Sequence, residues 1–273
     1  MTRSWLFCPG DRPDRLPKAA AVADVVVADL EDAVAPAAKA EARAAVAQWL
    51  RSRPDLAPRT WVRVNNDRDL GADLDALAGL GTAGVVLPKA ELTSVAEVAA
   101  RTDAAVFALV ETARGLQELP DLARHPAVTR LGLGEYDLTT ELGADPPRLG
   151  VNTGPLGWAR AQVVVAAAAA GLAPPPAAVS ADLDDPAGFR ADTLALQGAG
   201  FGGRLCIHPT QVALTHDVLV PTEEEVTHAQ DVLRATEHTG VAVVAGRMVD
   251  AAVVRRARRV LALAAAPRES PIG

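Results

Sequence analysis

Acidic side chains recur in this sequence directly after short apolar runs. Val25-Val26-Val27-Ala28 leads into Asp29-Leu30-Glu31-Asp32, Ala108-Leu109-Val110 into Glu111-Thr112, and Leu131-Gly132-Leu133-Gly134 into Glu135-Tyr136-Asp137. Carboxylates that converge without histidine or thiolate companions suit a hard, oxygen-seeking cation, and magnesium takes one or two of them while keeping several waters. Glu111 and Asp137 are therefore read as direct ligands of Mg2+, with Glu31 and Asp32 holding metal-bound waters. The competing reading is that these acids cap the helices that follow, where negative side chains are favoured. Arg63 sits inside the otherwise apolar Trp61-Val62-Arg63-Val64. A guanidinium so placed can grip a carboxylate or enolate oxygen with two parallel hydrogen bonds, or else pair with a neighbouring acid.

Two further segments carry charge or glycine in suggestive patterns. The loop from Pro9 to Lys18 gathers Arg12, Arg15 and Lys18, which can meet an anionic tail such as a nucleotide phosphate, although a solvated charged turn accounts for them as well. Gly200-Phe201-Gly202-Gly203 can cradle a phosphate or simply supply turns. His208 closes Cys206-Ile207-His208 and serves either a catalytic or a hydrogen-bonding role. No phosphate-loop, dinucleotide or nucleophilic-triad motif stands in the strand–turn–helix context it needs.

The elements that must position these groups are legible in the alternation of patterns. Short β-branched runs predict eight strands, at 4–9, 24–32, 60–65, 84–89, 105–112, 130–138, 178–183 and 203–209. Segments of helical period separate most of them, at 37–51, 69–80, 92–101, 115–124, 155–171 and 185–200. Eight βα units within about 220 residues match an α/β fold of the (β/α)8 TIM-barrel type, which places its chemistry at the carboxyl ends of the strands. Beyond the barrel, Pro221-Thr222-Glu223-Glu224-Glu225 begins a helix running to about residue 238. A glycine-containing turn over 239–248 and a basic helix over 250–264 complete a C-terminal helical extension. The expected organisation is a barrel domain over 1–220 and an extension over 221–273.

Composition removes several classes of function. Of the 273 residues, 49% are hydrophobic and 22% charged, enough for a sizeable core. The net charge of −7 and the 3% aromatic content speak against nucleic acid, which needs a basic surface or a stacking platform. The longest apolar stretch, from Val163 to Leu172, is far shorter than the roughly 20 residues that span a bilayer. No membrane association is expected, and without a signal-like apolar region at the N-terminus the expected location is cytoplasmic. Two cysteines, Cys8 and Cys206, are too few for a disulfide scaffold and are expected as buried thiols.

Taken in order, the motifs resemble those of the citrate lyase β-subunit-like group of the aldolase/citrate lyase superfamily, which includes malyl-CoA and citramalyl-CoA lyases. The resemblance rests on Leu6-Phe7-Cys8-Pro9-Gly10 with Arg12 and Arg15, Asp29-Leu30-Glu31-Asp32-Ala33-Val34, Arg63-Val64-Asn65 and Leu87-Pro88-Lys89. It continues through Glu111-Thr112-Ala113-Arg114-Gly115, Gly134-Glu135-Tyr136-Asp137-Leu138, Gly200-Phe201-Gly202-Gly203-Arg204, Cys206-Ile207-His208-Pro209-Thr210-Gln211 and Gly246-Arg247-Met248-Val249-Asp250.

The resemblance implies a magnesium-dependent lyase that cleaves or forms a carbon–carbon bond in a 3-hydroxyacyl-CoA thioester of malyl, methylmalyl or citramalyl type, with a 2-keto acid as the other product. It places Mg2+ on Glu111 and Asp137, substrate oxygens on Arg63, and coenzyme A on Arg12, Arg15 and Lys18. It makes Asp250 the acid/base, has the C-terminal segment cover a neighbouring subunit's site, and implies a homotrimer or a hexamer. Alternatives on the same scaffold are a malyl-CoA-type thioesterase, a pyruvate-type aldolase, a citrate lyase β subunit using a carrier-protein thioester, and a non-catalytic assembly subunit. Two stretches depart from the pattern: Pro174-Pro175-Pro176-Ala177-Ala178, where many relatives carry an Ile-Asp-Gly-like run, and Glu135-Tyr136, which adds a carboxylate and a phenol beside Asp137.

Overall fold

A computed structural model describes residues 2–237 and 241–265. The chain forms two compact units, one spanning Thr2–Thr215 and the other beginning at His216, a few residues before the expected boundary at 220/221.

In the first unit the strands are β1 (Ser4–Pro9), β2 (Val25–Asp29), β3 (Thr60–Arg63), β4 (Gly84–Leu87), β5 (Val106–Val110), β6 (Val128–Leu133), β7 (Pro176–Ala177) and β8 (Gly203–Cys206). They pair in the order β6-β5-β4-β3-β2-β1-β8-β7, and every pairing is parallel. β6 and β7 lie side by side, and Arg130 Nη1 donates across that seam to the Pro174 carbonyl at 3.1 Å. The sheet thus curls into a (β/α)8 barrel, as the eight-unit pattern leads one to expect.

Alternation along the strands sorts side chains between two cores. Trp5, Val25, Val27, Trp61, Val86, Phe107, Leu109 and Leu205 pack together as one cluster. The intervening residues, among them Leu6, Val26, Ala28, Val62, Val85 and Ala108, join a larger cluster with helix residues such as Leu50, Val95 and Leu122. This is the period of two that a parallel barrel imposes, one set filling the interior and the other meeting the helices. Three aromatic rings fill the interior: Trp5 lies 5.6 Å from Trp61 and 5.3 Å from Phe107, centroid to centroid. A Cβ on Gly132 would stand 2.6 Å from the Phe107 ring, so the sequence spends a glycine to admit it.

The helices of this unit are α1 (Leu16–Val22), α2 (Lys39–Ser52), α3 (Leu70–Leu77), α4 (Leu92–Arg101), α5 (Ala113–Gln117), α6 (Leu119–Arg124), α7 (Glu135–Glu141), α8 (Gly154–Ala169) and α9 (Pro186–Gly198), with α10 (Pro209–Val218) crossing into the second. Three expectations need correction. The helix expected over 115–124 is two helices, because Pro120 opens α6 and cannot donate a backbone bond to a preceding turn. The sixth strand ends at Leu133 rather than 138, so Glu135, Tyr136 and Asp137 form the first turn of α7. The seventh strand is Pro176–Ala177, ahead of the expected 178–183, since the proline run before it offers no N–H for a longer ladder.

The second unit contains α11 (Glu223–Ala235), the hairpin β9 (Ala242–Val244) with β10 (Arg247–Val249), and α12 (Ala251–Ala264). Thr222 and Glu225 form a reciprocal capping box at the start of α11. Ala245 and Gly246, both at positive φ, make the tight hairpin turn. The helix expected to run to about residue 238 ends at Ala235, and the start of the turn at 239 lies outside the described residues. Ala229, Val232, Val249 and Ala257 form this unit's own small core. Among the described residues no helix is long and apolar enough to cross a membrane.

Candidate active site

The inward-facing positions of the barrel change character at the carboxyl ends of the strands. In β2, Val25 and Val27 give way to Asp29; in β3, Trp61 gives way to Arg63; after β5, Phe107 and Leu109 give way to Glu111. These side chains line one cavity of about 370 Å³, together with Phe7, Asp32 and Asp137. The same alternation that fills the interior with aromatic rings therefore delivers the polar groups to its mouth.

Arg63 is the centre of the charge network. Its Nε and Nη2 donate to the two oxygens of Asp29 at 2.8 and 2.6 Å, a bidentate pair, while Nη1 lies 2.9 Å from Glu31 Oε2 and 3.9 Å from Asp32 Oδ2. The guanidinium also stacks over the Phe7 ring, 5.0 Å from its centroid. These acids hold the Arg63 pKa above its ordinary value against the effect of burial, so the group stays a fixed cation. Asp29 in turn accepts from the Glu31 backbone N–H at 2.9 Å. Both readings of Arg63 thus meet in one place: it is paired with neighbouring acids and it faces the cavity.

Lys89 supplies the second cation. Its Nζ lies 2.7 Å from Glu31 Oε1 and 3.6 Å from Glu111 Oε2. Glu111 is 2% exposed, and its Oε2 has no hydrogen-bond partner among the described residues. Burial first, and then the Glu31 carboxylate, push the Glu111 carboxyl up to about 8. A Cβ at position 134 would collide with Glu111 Cγ, Cδ and Oε1, so Gly134 is the space in which this carboxylate sits. Three buried carboxylates, Asp29, Glu31 and Glu111, face two cations, Arg63 and Lys89, before the exposed Asp32 and Asp137 are counted. An orphaned buried oxygen in a pocket of surplus negative charge is the setting a divalent cation neutralises. No group of three or more ligating side chains that could hold a metal ion occurs among the described residues; magnesium uses one or two carboxylates and keeps several waters.

Asp137 reaches the cavity from the first turn of α7, and its neighbours hold that turn. Glu135 is bound bidentately by Arg160 of α8 at 2.7 Å through each oxygen, and the Tyr136 hydroxyl accepts from Ala181 N at 3.0 Å. The added carboxylate and phenol of the sequence motif therefore fasten this turn, and both residues also line the cavity. Glu31 accepts a hydrogen bond from Lys89 at Oε1 and lies in an ion pair with Arg63 at Oε2, which like Glu111 Oε2 has no hydrogen-bond partner among the described residues, whereas Asp32 is open to solvent.

The remaining candidates lie elsewhere. Arg12, Arg15 and Lys18 are exposed around the start of α1, Arg12 pairing with Asp14 at 3.2 Å. His208 is exposed and hydrogen-bonds Thr210 Oγ1 at 2.8 Å in the first turn of α10. Gly203 begins β8, at the opposite end of the barrel from the carboxylates, and a Cβ there would strike the Arg3 carbonyl, so that glycine run is used in packing. Cys8 and Cys206 are buried thiols, pushed by burial up to about 11 and about 12, as expected. Asp250, in the second unit, caps α12 by accepting from Ala252 N and Val253 N at 2.8 and 3.1 Å. Asp29 and Lys89 were given no role from the sequence, although Asp29 directly follows the apolar Val25-Val26-Val27-Ala28 and Lys89 ends the strand predicted over 84–89.

Comparison with known proteins fits this geometry. The profile of HpcH/HpaI aldolase/citrate lyase matches residues 3–209. A solved structure of CitE from Mycobacterium tuberculosis in complex with magnesium, acetoacetate and coenzyme A superposes with a TM-score of 0.83 at 37% identity, covering 96% of this chain and 98% of that one. A (3S)-malyl-CoA thioesterase of Cereibacter sphaeroides is 36% identical over 97% of this chain and 95% of its own length. An L-malyl-CoA/beta-methylmalyl-CoA lyase of the same organism is 30% identical over 93% and 92%.

Proposed function

Because the chain belongs to the HpcH/HpaI aldolase/citrate lyase family, we propose that it is a magnesium-dependent carbon–carbon lyase acting on a 3-hydroxyacyl-CoA thioester of malyl, methylmalyl or citramalyl type. The observation that carries this reading is Glu111: a buried carboxylate whose Oε2 has no hydrogen-bond partner among the described residues, with the Lys89 ammonium 3.6 Å away, in a cavity of surplus negative charge. Glu111 and Asp137 would hold the ion, with Asp32 beside the coordinated waters. When bound, Mg2+ supplies Lewis-acid polarisation of the substrate's hydroxyl and carboxylate oxygens.

The protein's own groups do the rest. Cleavage breaks the bond between the carbon bearing the hydroxyl and the carbon next to the thioester; the hydroxyl gives up its proton to solvent water, and the bonding pair leaves with the thioester as an enolate beside a 2-keto acid. Arg63, kept cationic and immobile by Asp29, meets the negative charge that develops on the enolate oxygen; such preorganised charge needs no rearrangement during the reaction. Asp250 returns a proton to the enolate carbon, and in the reverse direction removes it. Arg12, Arg15 and Lys18 meet the phosphates of coenzyme A. The segment from residue 221 covers a neighbouring subunit's site in a trimer or hexamer, which is how Asp250 reaches the chemistry.

The second reading is a malyl-CoA-type thioesterase, favoured by the 36% identity to such an enzyme. The experiment that decides is incubation of the purified protein with Mg2+ and a panel of malyl-, methylmalyl- and citramalyl-CoA, with products identified by mass spectrometry. Acetyl-CoA or propionyl-CoA with a 2-keto acid is the expected result. Free CoA with the intact hydroxy acid would make it a thioesterase, and no turnover of any member would remove both.

A further inference from the structure

Lys89 is held in an uncommon backbone conformation. Its φ of +47° lies in the left-handed region, which is disfavoured for a residue with a side chain. Asn66 fastens this segment: its Nδ2 donates to the carbonyls of Pro88 and of Lys89 itself, at 2.9 and 3.2 Å. The strain is thus built in from a neighbouring strand end, and what it accomplishes is the aim of the side chain. The ammonium lies 2.7 Å from Glu31 Oε1 and 3.6 Å from Glu111 Oε2, bridging carboxylates that follow β2 and β5. Backbone strain sustained next to a site reads as a functional constraint.

We propose that Lys89 is a positioning residue that sets the cation affinity of the cavity, acting as the resident counter-charge that Glu31 and Glu111 share with an incoming divalent ion. The ammonium attracts both carboxylates and offsets their mutual repulsion while no ion is bound. Once the ion enters, the same positive charge opposes it, which holds affinity down and keeps the ion exchangeable. Two cations a few ångströms apart repel strongly even at the effective dielectric of a protein surface, and only proximity to Glu31 and Glu111 offsets this. The inference rests on the proposed metal reading, and it concerns a residue outside the assigned ligands.

The test is binding of Mg2+ by titration calorimetry, and of Mn2+ by electron paramagnetic resonance, to the full chain and to Lys89→Met, Lys89→Arg and Asn66→Ala. Lys89→Met should bind the ion at least about tenfold more tightly, since a nearby unit charge is gone, and should melt lower without metal. Lys89→Arg, keeping the charge, should stay near wild-type affinity. Asn66→Ala leaves the charge but frees its aim, and should shift affinity in the same direction by less. Equal or weaker binding by Lys89→Met overturns the proposal. Should that variant fail to fold without metal, unchanged affinity in Asn66→Ala overturns it. If the wild-type protein binds neither ion, the metal reading itself fails, and this inference with it.

Discussion

The chemistry at residue scale is governed by how a few carboxylates are kept ionised or protonated. Glu111 has its carboxyl raised to about 8 by burial and by Glu31, so below that pH it carries a proton that a metal ion must displace. Magnesium affinity is therefore expected to fall by up to about tenfold per pH unit as the pH drops from about 8. Titration calorimetry at about pH 6.5 in buffers of different ionisation enthalpy should register about one proton released per ion bound; no release would show that Glu111 is not the ligand. The raised pKa has a second consequence of definite sign. The unfolded chain ionises Glu111 at the ordinary glutamate value while the fold resists, so its contribution destabilises the metal-free fold as pH climbs from that value through 8. The acids themselves were legible because each follows an apolar run. Their partners were not: nothing in the order of residues says that Asp29 would take Arg63, or that Lys89 would reach Glu31, since these pairs join positions 34 and 58 residues apart.

At the scale of elements, the seat of Asp137 depends on α7 being fastened in place. Arg160 is the principal fastening: besides Glu135 it donates to the Val151 carbonyl at 2.8 Å, tying α8 to the first turn of α7 and to the loop that joins them. The pair is buried, with side-chain exposures of 6% and 3%. Arg160→Met should accordingly cost about 3–5 kcal/mol, because it strands Glu135 as an uncompensated buried charge. Adding Glu135→Gln to it should recover a large part of that loss, and denaturant unfolding of the three variants would check both numbers. If the single substitution lowers stability by less than about 1 kcal/mol, the pair is not holding the turn. Helix α4 coincides with its expected range because its apolar period and its flanking residues agree. The sixth and seventh strands were misjudged for a shared reason. Gly134 ends one strand and opens a helix without a proline or a side-chain cap to mark the switch, and the ladder available to β7 is limited by prolines that precede it.

For the molecule as a whole, the proposed sharing of a site between subunits has a direct expectation. Asp137→Ala and Asp250→Asn should each abolish turnover alone, and co-assembled oligomers of the two should regain it; inactivity in a verified mixed oligomer would refute sharing. The two substitutions lie in different units of the chain, so each leaves the other's fold untouched. By itself the sequence determined the number of βα units, the two-residue alternation within strands, and the acidic and basic residues at strand ends, because these follow from local periodicity and from which side chains tolerate burial. Only the tertiary structure decided that Asp29, Glu31, Arg63, Lys89 and Glu111 form one charge network, that Glu135 is bound by Arg160, and that Glu111 Oε2 is left without a hydrogen-bond partner among the described residues. Those outcomes depend on the parallel pairing of β5, β4, β3 and β2, which sets groups from four neighbouring strand ends at one cavity where each buried charge must be matched or left in need of a ligand.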